Sequence, residues 1–175
     1  IRFFHRCGVE EATMAGKFHK ALIYQPRMWL RHRPDWKFIK TFYHYFISHR
    51  HDNKDDTLLG ALTDAFAANG ITMRPATDFA PELLVKTGQI AGRLPTAAQQ
   101  ADIEFGWEVA KQLGALDIGQ SVCVKDRAVM AVEAIEGTDA CILRAGEFCK
   151  KGEFTVVKVA KPQQDMRFDV PTVGP

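Results

Sequence analysis

A chain of 175 residues is long enough to bury roughly 70% of its unfolded surface if it folds as one unit. Its 46% apolar and 25% charged residues are the proportions of an ordinary globular protein, and the sequence shows neither a signal peptide nor an apolar run near the roughly 18 residues of a bilayer span. The net charge of +2 hides an asymmetry, because residues 1–54 carry 11 Lys or Arg against 4 Asp or Glu, and hold all six histidines. A basic stretch of that kind suits an anionic partner or a solvated surface, and nothing in its pattern decides between them.

Phe3 to Gly8 reads as a helix end capped by glycine, and Glu10 to Ala15 as a short strand, followed by a turn at Gly16 and Lys17. From Pro34, residues Trp36, Ile39, Phe42 or Tyr43, and Phe46 recur at helical spacing. The aromatic stripe of Trp36, Phe38, Phe42, Tyr45 and Phe46 is more often core than ligand pocket, but its density leaves Phe38, Phe46 or Trp29 as candidates for a lipid or membrane surface. His44, His49 and His51 beside Asp52 have the residue types of a metal cluster, although the His-x-His spacing implies no ordered scaffold. A second helix is expected from about Asp56 to Asn69, with Leu58, Leu59, Leu62, Ala65 and Phe66 on one stripe and Gly70 as its stop. Ile71 to Arg74 follow as a strand.

Residues 86–96, KTGQIAGRLPT, have no periodicity and read as a connection, which places a domain boundary between residues 1–90 and 91–175. Thr96 with Gln99 fits a capping box for a helix that buries Ile103, Gly106 or Trp107, Ala110 and Leu113 and ends at Gly114. Gln120 to Val124 and Ala128 to Ile135 read as a hairpin through Lys125, Asp126 and Arg127, a helix runs from about Ala140 to Cys149, and Phe154 to Ala160 form a strand that Pro162 ends. Alternating helices and strands of this kind make an α/β protein.

Two strand ends carry the chemistry. In VEAIEGTDA, Glu136 ends a strand, Gly137 turns the chain, and Thr138 or Asp139 caps the next helix. The same helix terminus accepts phosphate, and a carboxylate beside it calls for a divalent cation; the simpler reading is a plain helix cap with solvated Glu136. Glu133 ranks lower, because strand alternation points it away from Glu136 unless the turn swings the second residue round. In KVAKPQQDMRFDVPTVG, Lys161, Asp165, Arg167 and Asp169 crowd beyond the next strand end, where ligands of α/β sheets bind. Carboxylates for an ion and water, with cations for phosphate oxygens, are the parts of metal-assisted phosphate chemistry. The four cysteines, Cys7, Cys123, Cys141 and Cys149, have no metal-ligand spacing and are expected as reduced thiols. No GxGxxG, P-loop, nucleophile elbow or CxxC occurs, which weighs against dinucleotide oxidoreductases, P-loop NTPases and thiol redox enzymes.

The runs MAGK, RPDWK, DDTLL, LGALDIGQSV, VKD, VEAIEGTDA and VKVAKPQQDMRFDVPTVGP resemble the LpxI-type UDP-2,3-diacylglucosamine pyrophosphatases of lipid A biosynthesis. The resemblance implies a partial Rossmann-like N-terminal domain followed by an α/β C-terminal domain. It also implies a cytoplasmic Mg²⁺-dependent hydrolase that splits UDP-2,3-diacylglucosamine into UMP and 2,3-diacylglucosamine 1-phosphate. Carried over residue by residue, it places Asp165, Glu136 and Asp139 in catalysis, with Asp165 as the essential acid. Thr138, Lys161, Arg167 and Gly137 then face the phosphates, and Asp165, Asp169 and Asp139 face the metal. The implied partner is a lipid-linked nucleotide sugar and not nucleic acid, with peripheral contact at the inner face of the inner membrane and a homodimer left open. The alternative is a non-catalytic module binding a nucleotide sugar or lipid headgroup. The family's opening strand and glycine-rich turn, and its elements beyond PTxGP, have no counterpart here, so the chain is expected to be a piece of a longer protein. The turn Lys125-Asp126-Arg127 also lacks the glycine expected at its third place.

Overall fold

The structure, a computed structural model, describes residues 1–14, 36, 39, 43, 55–162, 164 and 170–172. The chain divides into two compact units that part between Leu84 and Val85. The expected turn at Gly16 and Lys17, the surplus aromatics Trp29, Phe38 and Phe46, the histidine group, and the Asp165, Arg167 and Asp169 set lie outside the described residues, while Trp36, Ile39 and Tyr43 are helical.

In the first unit, helix α1 (Arg2–Arg6) leads to strand β1 (Glu11–Ala12), and helix α2 (Asp55–Ala67) leads to strand β2 (Thr72–Met73). The strands pair in parallel, Glu11 opposite Thr72 and Ala12 opposite Met73. Parallel neighbours require a crossover, but two strands do not by themselves establish Rossmann winding. Helix α2 stops as its sequence implies: Gly70 N–H reaches Ala67 O at 2.9 Å and Ile71 N–H reaches Phe66 O at 3.1 Å, the paired bonds of a glycine-type C-terminal cap. Ala61, Ile71 and Met73 are buried, and Phe4 packs on Phe66 with ring centroids 6.0 Å apart. A short helix α3 (Ala76–Phe79) and a 3₁₀ turn (Pro81–Leu83) end this unit, with Arg74 bridging Glu11 and Asp78.

The second unit is a three-layer sandwich of helix, sheet and helix. Its sheet runs β4 (Ala128–Val132), β3 (Ser121–Lys125), β5 (Thr155–Lys158), all antiparallel, with β3 central and buried on both faces. Helix α4 (Ala97–Ala115) covers one face, where Ala110 packs with Val122, Val124, Val157 and Val159. Helix α5 (Thr138–Phe148) covers the other, where Cys141 and Ala145 meet Cys123 and Ala131. That alternation along β3, Val–Cys–Val, is the two-residue period of a strand between two apolar layers.

The capping box of α4 forms, with Gln99 N–H on Thr96 Oγ1 at 3.2 Å and Thr96 N–H on Gln99 Oε1 at 2.9 Å. The buried line of this helix differs from the expected one. It is Asp102, Gly106, Ala110 and Gly114, whereas Trp107 is 49% exposed with Lys111 Nζ 5.3 Å from its ring. Small residues win because the helix lies close to the sheet: a Cβ on Gly106 would sit 2.7 Å from Val157 Cγ2. Gly114 likewise lies inside the helix, against Lys161 and Pro162, and the helix runs on to Ala115.

The hairpin turn explains its own missing glycine. Asp126 and Arg127 both take positive φ, 51° and 56°, as a two-residue hairpin of this hand requires. Buried Asp102 accepts both of their N–H groups, at 3.1 and 2.6 Å, so a carboxylate from α4 fixes a turn that glycine would otherwise favour.

Candidate functional site

At the strand-to-helix joint the structure brings together a polar network whose members differ from the residues expected there. Strand β4 ends at Val132, and Glu133 N–H still reaches Ser121 O at 2.9 Å. Because Ala131 packs towards α5, alternation sends Glu133 to the same side. Gly119 must be glycine here, since a Cβ would collide with the Glu133 carbonyl. The chain then turns through Ala134 to Gly137, whose φ of +86° opens α5.

The N-cap is therefore Gly137, without a side-chain cap bond, rather than Thr138 or Asp139. Thr138 instead turns its hydroxyl inward. It donates to Glu133 Oε1 at 3.0 Å and accepts from Lys158 Nζ at 3.0 Å, with Ser121 Oγ 3.3 Å away. A hydroxyl has one proton and two lone pairs. With the proton on Glu133, Ser121 acts as donor and every bonding position of Thr138 is filled. Lys158 lies opposite Ser121 in the β3–β5 register and donates as well to the Thr172 carbonyl at 2.9 Å. Ser121 is 0% exposed and Glu133 8% exposed, and Glu133 Oε2 is buried with no hydrogen-bond partner among the described residues.

Glu136 is placed otherwise. The turn does swing it towards α5, where Oε1 pairs with Arg144 at 2.9 Å and Oε2 accepts the Ala134 N–H at 3.2 Å. Arg144 also donates to Val132 O at 2.6 Å, so Glu136 and Arg144 clasp the turn, and it is Glu133 that meets Thr138. Asp139 is exposed in the first turn of α5. Lys161 reaches Asp117 Oδ1 at 2.6 Å, while its N–H bonds Gln164 Oε1 at 2.9 Å. The structure thus brings together Ser121, Glu133, Thr138 and Lys158, of which only Thr138 stood among the expected site residues. Lys158 was detectable: Val157 and Val159 face α4, so the residue between them faces α5.

Burial pushes the Cys141 thiol up to about 12, with Cys123 and Glu133 adding to the rise and Arg144 opposing it; burial also raises Cys123. Burial thus disfavours the thiolate, the reactive form, at both positions beside this network. Among the described residues no group of three or more His, Cys, Asp or Glu is placed to hold a metal ion.

A sheet covered on both faces, with a part-buried Thr–Lys–Glu network at the strand-to-helix joint, defines the second unit as an α/β domain with a polar centre beside the ends of its strands. Residues 86–175 match the model of the LpxI C-terminal domain, and residues 1–83 that of the LpxI N-terminal domain. The chain belongs to the LpxI family, as the EGTDA and KPQQDMRFDVPTVGP runs implied. UDP-2,3-diacylglucosamine pyrophosphatase LpxI of Caulobacter vibrioides is 34% identical over 127 residues, covering 69% of this chain and 45% of that protein. The chain therefore spans less than half the length of this curated relative.

Proposed function

We propose that the protein is a hydrolase that cleaves the pyrophosphate of UDP-2,3-diacylglucosamine, releasing UMP and 2,3-diacylglucosamine 1-phosphate by attack of water on phosphorus. Membership of the LpxI family along both halves of the chain carries this reading. In it the protein acts in the cytoplasm, at the inner face of the inner membrane, on a lipid-linked nucleotide sugar. Among the described residues no helix is long and apolar enough to cross a membrane, so the lipid chains would be met at a surface.

Asp165 is the proposed essential acid, with Asp139 and Glu136 sharing the catalytic role and Lys161, Arg167 and the Gly137 turn serving the phosphates. The geometry redistributes some of this work. Thr138 has no proton left for a phosphate oxygen, and Gly137 N–H is spent on Ala134 O at 3.3 Å. Both residues shape the joint, and phosphate binding falls to other donors. Glu136, paired with Arg144, keeps the turn closed.

Mg²⁺ belongs to the same proposal, on Asp139, Asp165 and Asp169. Of these only Asp139 is described, and the described carboxylates do not by themselves make a cation site; Mg²⁺ takes one or two carboxylates and completes its shell with water and phosphate. Bound there, the ion would offset pyrophosphate charge.

The test is release of UMP from UDP-2,3-diacylglucosamine by this protein with Mg²⁺ and with EDTA. UMP is expected with the ion and not with the chelator, and Asp165→Ala is expected to abolish it. Tight binding without UMP release would assign the chain to the non-catalytic class, and unchanged turnover in Asp165→Ala would remove that residue from its role.

A further inference from the structure

We propose that Lys158 is a phosphate-binding cation of the site, set in place by Thr138 and the buried carboxylate of Glu133. A lysine ammonium has three N–H donors. Two are fixed, one on Thr138 Oγ1 at 3.0 Å and one on Thr172 O at 2.9 Å. The third has no partner among the described residues, and the side chain is half-buried, so a single aimed donor remains open to a ligand.

The surroundings fix its direction. Thr138 cannot turn away from Lys158 without leaving Glu133, because its one proton is already given to Oε1. Ser121 fills the second lone pair of Thr138, which leaves Lys158 the first. Glu133 is nine-tenths buried, and its Oε2 has no partner among the described residues, an arrangement that costs stability and is kept where a site requires it. The ammonium also stands beside the first turn of α5, where the helix terminus favours negative charge. An ammonium held by two neutral oxygens, with one donor free beside a helix N-terminus, fits a phosphate or diphosphate oxygen. Lys158 is thus a binding residue, while Thr138 and Glu133 are positioning residues.

The inference rests on the pyrophosphatase reading only for the identity of the anion. Binding of inorganic pyrophosphate and UDP is measured by calorimetry on the wild-type protein and on Lys158→Met, Lys158→Arg and Thr138→Val. Lys158→Met is expected to weaken both ligands roughly tenfold to a hundredfold, the scale of one charge-assisted hydrogen bond. Thr138→Val is expected to weaken them several-fold through loss of aim, and Lys158→Arg to recover part of the affinity. Unchanged affinity in folded Lys158→Met overturns the proposal, as does wild-type protein that binds neither ligand. A measurement without substitution guards against misfolding: pyrophosphate should slow reductive methylation of Lys158, read by mass spectrometry, and equal rates with and without it also overturn the proposal. Binding that depends on Lys158 without hydrolysis of UDP-2,3-diacylglucosamine sinks the enzyme reading alone. Hydrolysis whose KM and kcat ignore Lys158→Met sinks this proposal alone.

Discussion

Two buried carboxylates in the second unit are built in opposite ways. Asp102, 5% exposed on α4, gives each oxygen to a backbone N–H of the β3–β4 turn. Glu133, 8% exposed at the end of β4, gives one oxygen to the Thr138 hydroxyl, and the other has no partner among the described residues. The first meets main-chain N–H groups with both oxygens and holds a hairpin. The second is linked through a hydroxyl to a cation whose third donor has no partner among the described residues, and in the proposal above that incomplete bonding marks a site where the first marks a scaffold.

The same chemical change should separate them. Asp102→Asn keeps the shape, but one of the two turn amides then faces an amide N–H₂ in place of an oxygen. The loss of one charge-assisted bond and the new donor–donor contact should cost about 3 kcal/mol in urea unfolding. Pyrophosphate affinity of the folded variant should not change. A loss of less than about 1 kcal/mol would show that the turn holds itself and that the comparison misreads Asp102.

Glu133→Gln should behave in reverse. The amide oxygen can stay on Thr138 and the N–H₂ takes the place of an oxygen with no partner among the described residues. Only charge assistance is lost, so unfolding should change by about 1 kcal/mol or less. Pyrophosphate affinity should fall several-fold as the weaker amide acceptor holds Thr138, and through it Lys158, less firmly. A stability loss equal to that of Asp102→Asn, with affinity intact, would make Glu133 a second scaffold carboxylate.

The parts of the fold that depend on neighbours in sequence were legible. The α4 capping box and the glycine stop of α2 are each fixed within a few residues, and the hairpin is visible in its short polar turn although Asp102 of α4 holds its conformation. Two longer-range facts were not. The close approach of α4 to the sheet selects Gly106 and Ala110 over Ile103 and Trp107, and nothing local announces that distance. The site's membership depends on the register that sets Ser121 beside Lys158, two residues 37 apart, and on which of two nearby carboxylates the turn leaves inside. Placing Glu136 at the strand end ranks Glu133 below it, because alternation points the two to opposite faces. Strand alternation continued by one residue past Val132 would have favoured Glu133, since Ala131 already faces α5.

The smallest expected effect is at Arg127. Its φ of 56° strains a side-chain-bearing residue by roughly 1 kcal/mol. Arg127→Gly removes that strain but gives the unfolded chain more freedom, which returns roughly 0.5–1 kcal/mol of the gain. With the Asp102 clamp intact, the two nearly cancel, and urea unfolding should shift by no more than about 0.5 kcal/mol. In the Asp102→Asn background the turn no longer has two oxygens holding it in the strained conformation, so the glycine should recover more stability there than in the wild type. Equal shifts in both backgrounds would mean that Asp102 and the turn are energetically independent, and that the hydrogen bonds at 3.1 and 2.6 Å do not enforce its conformation.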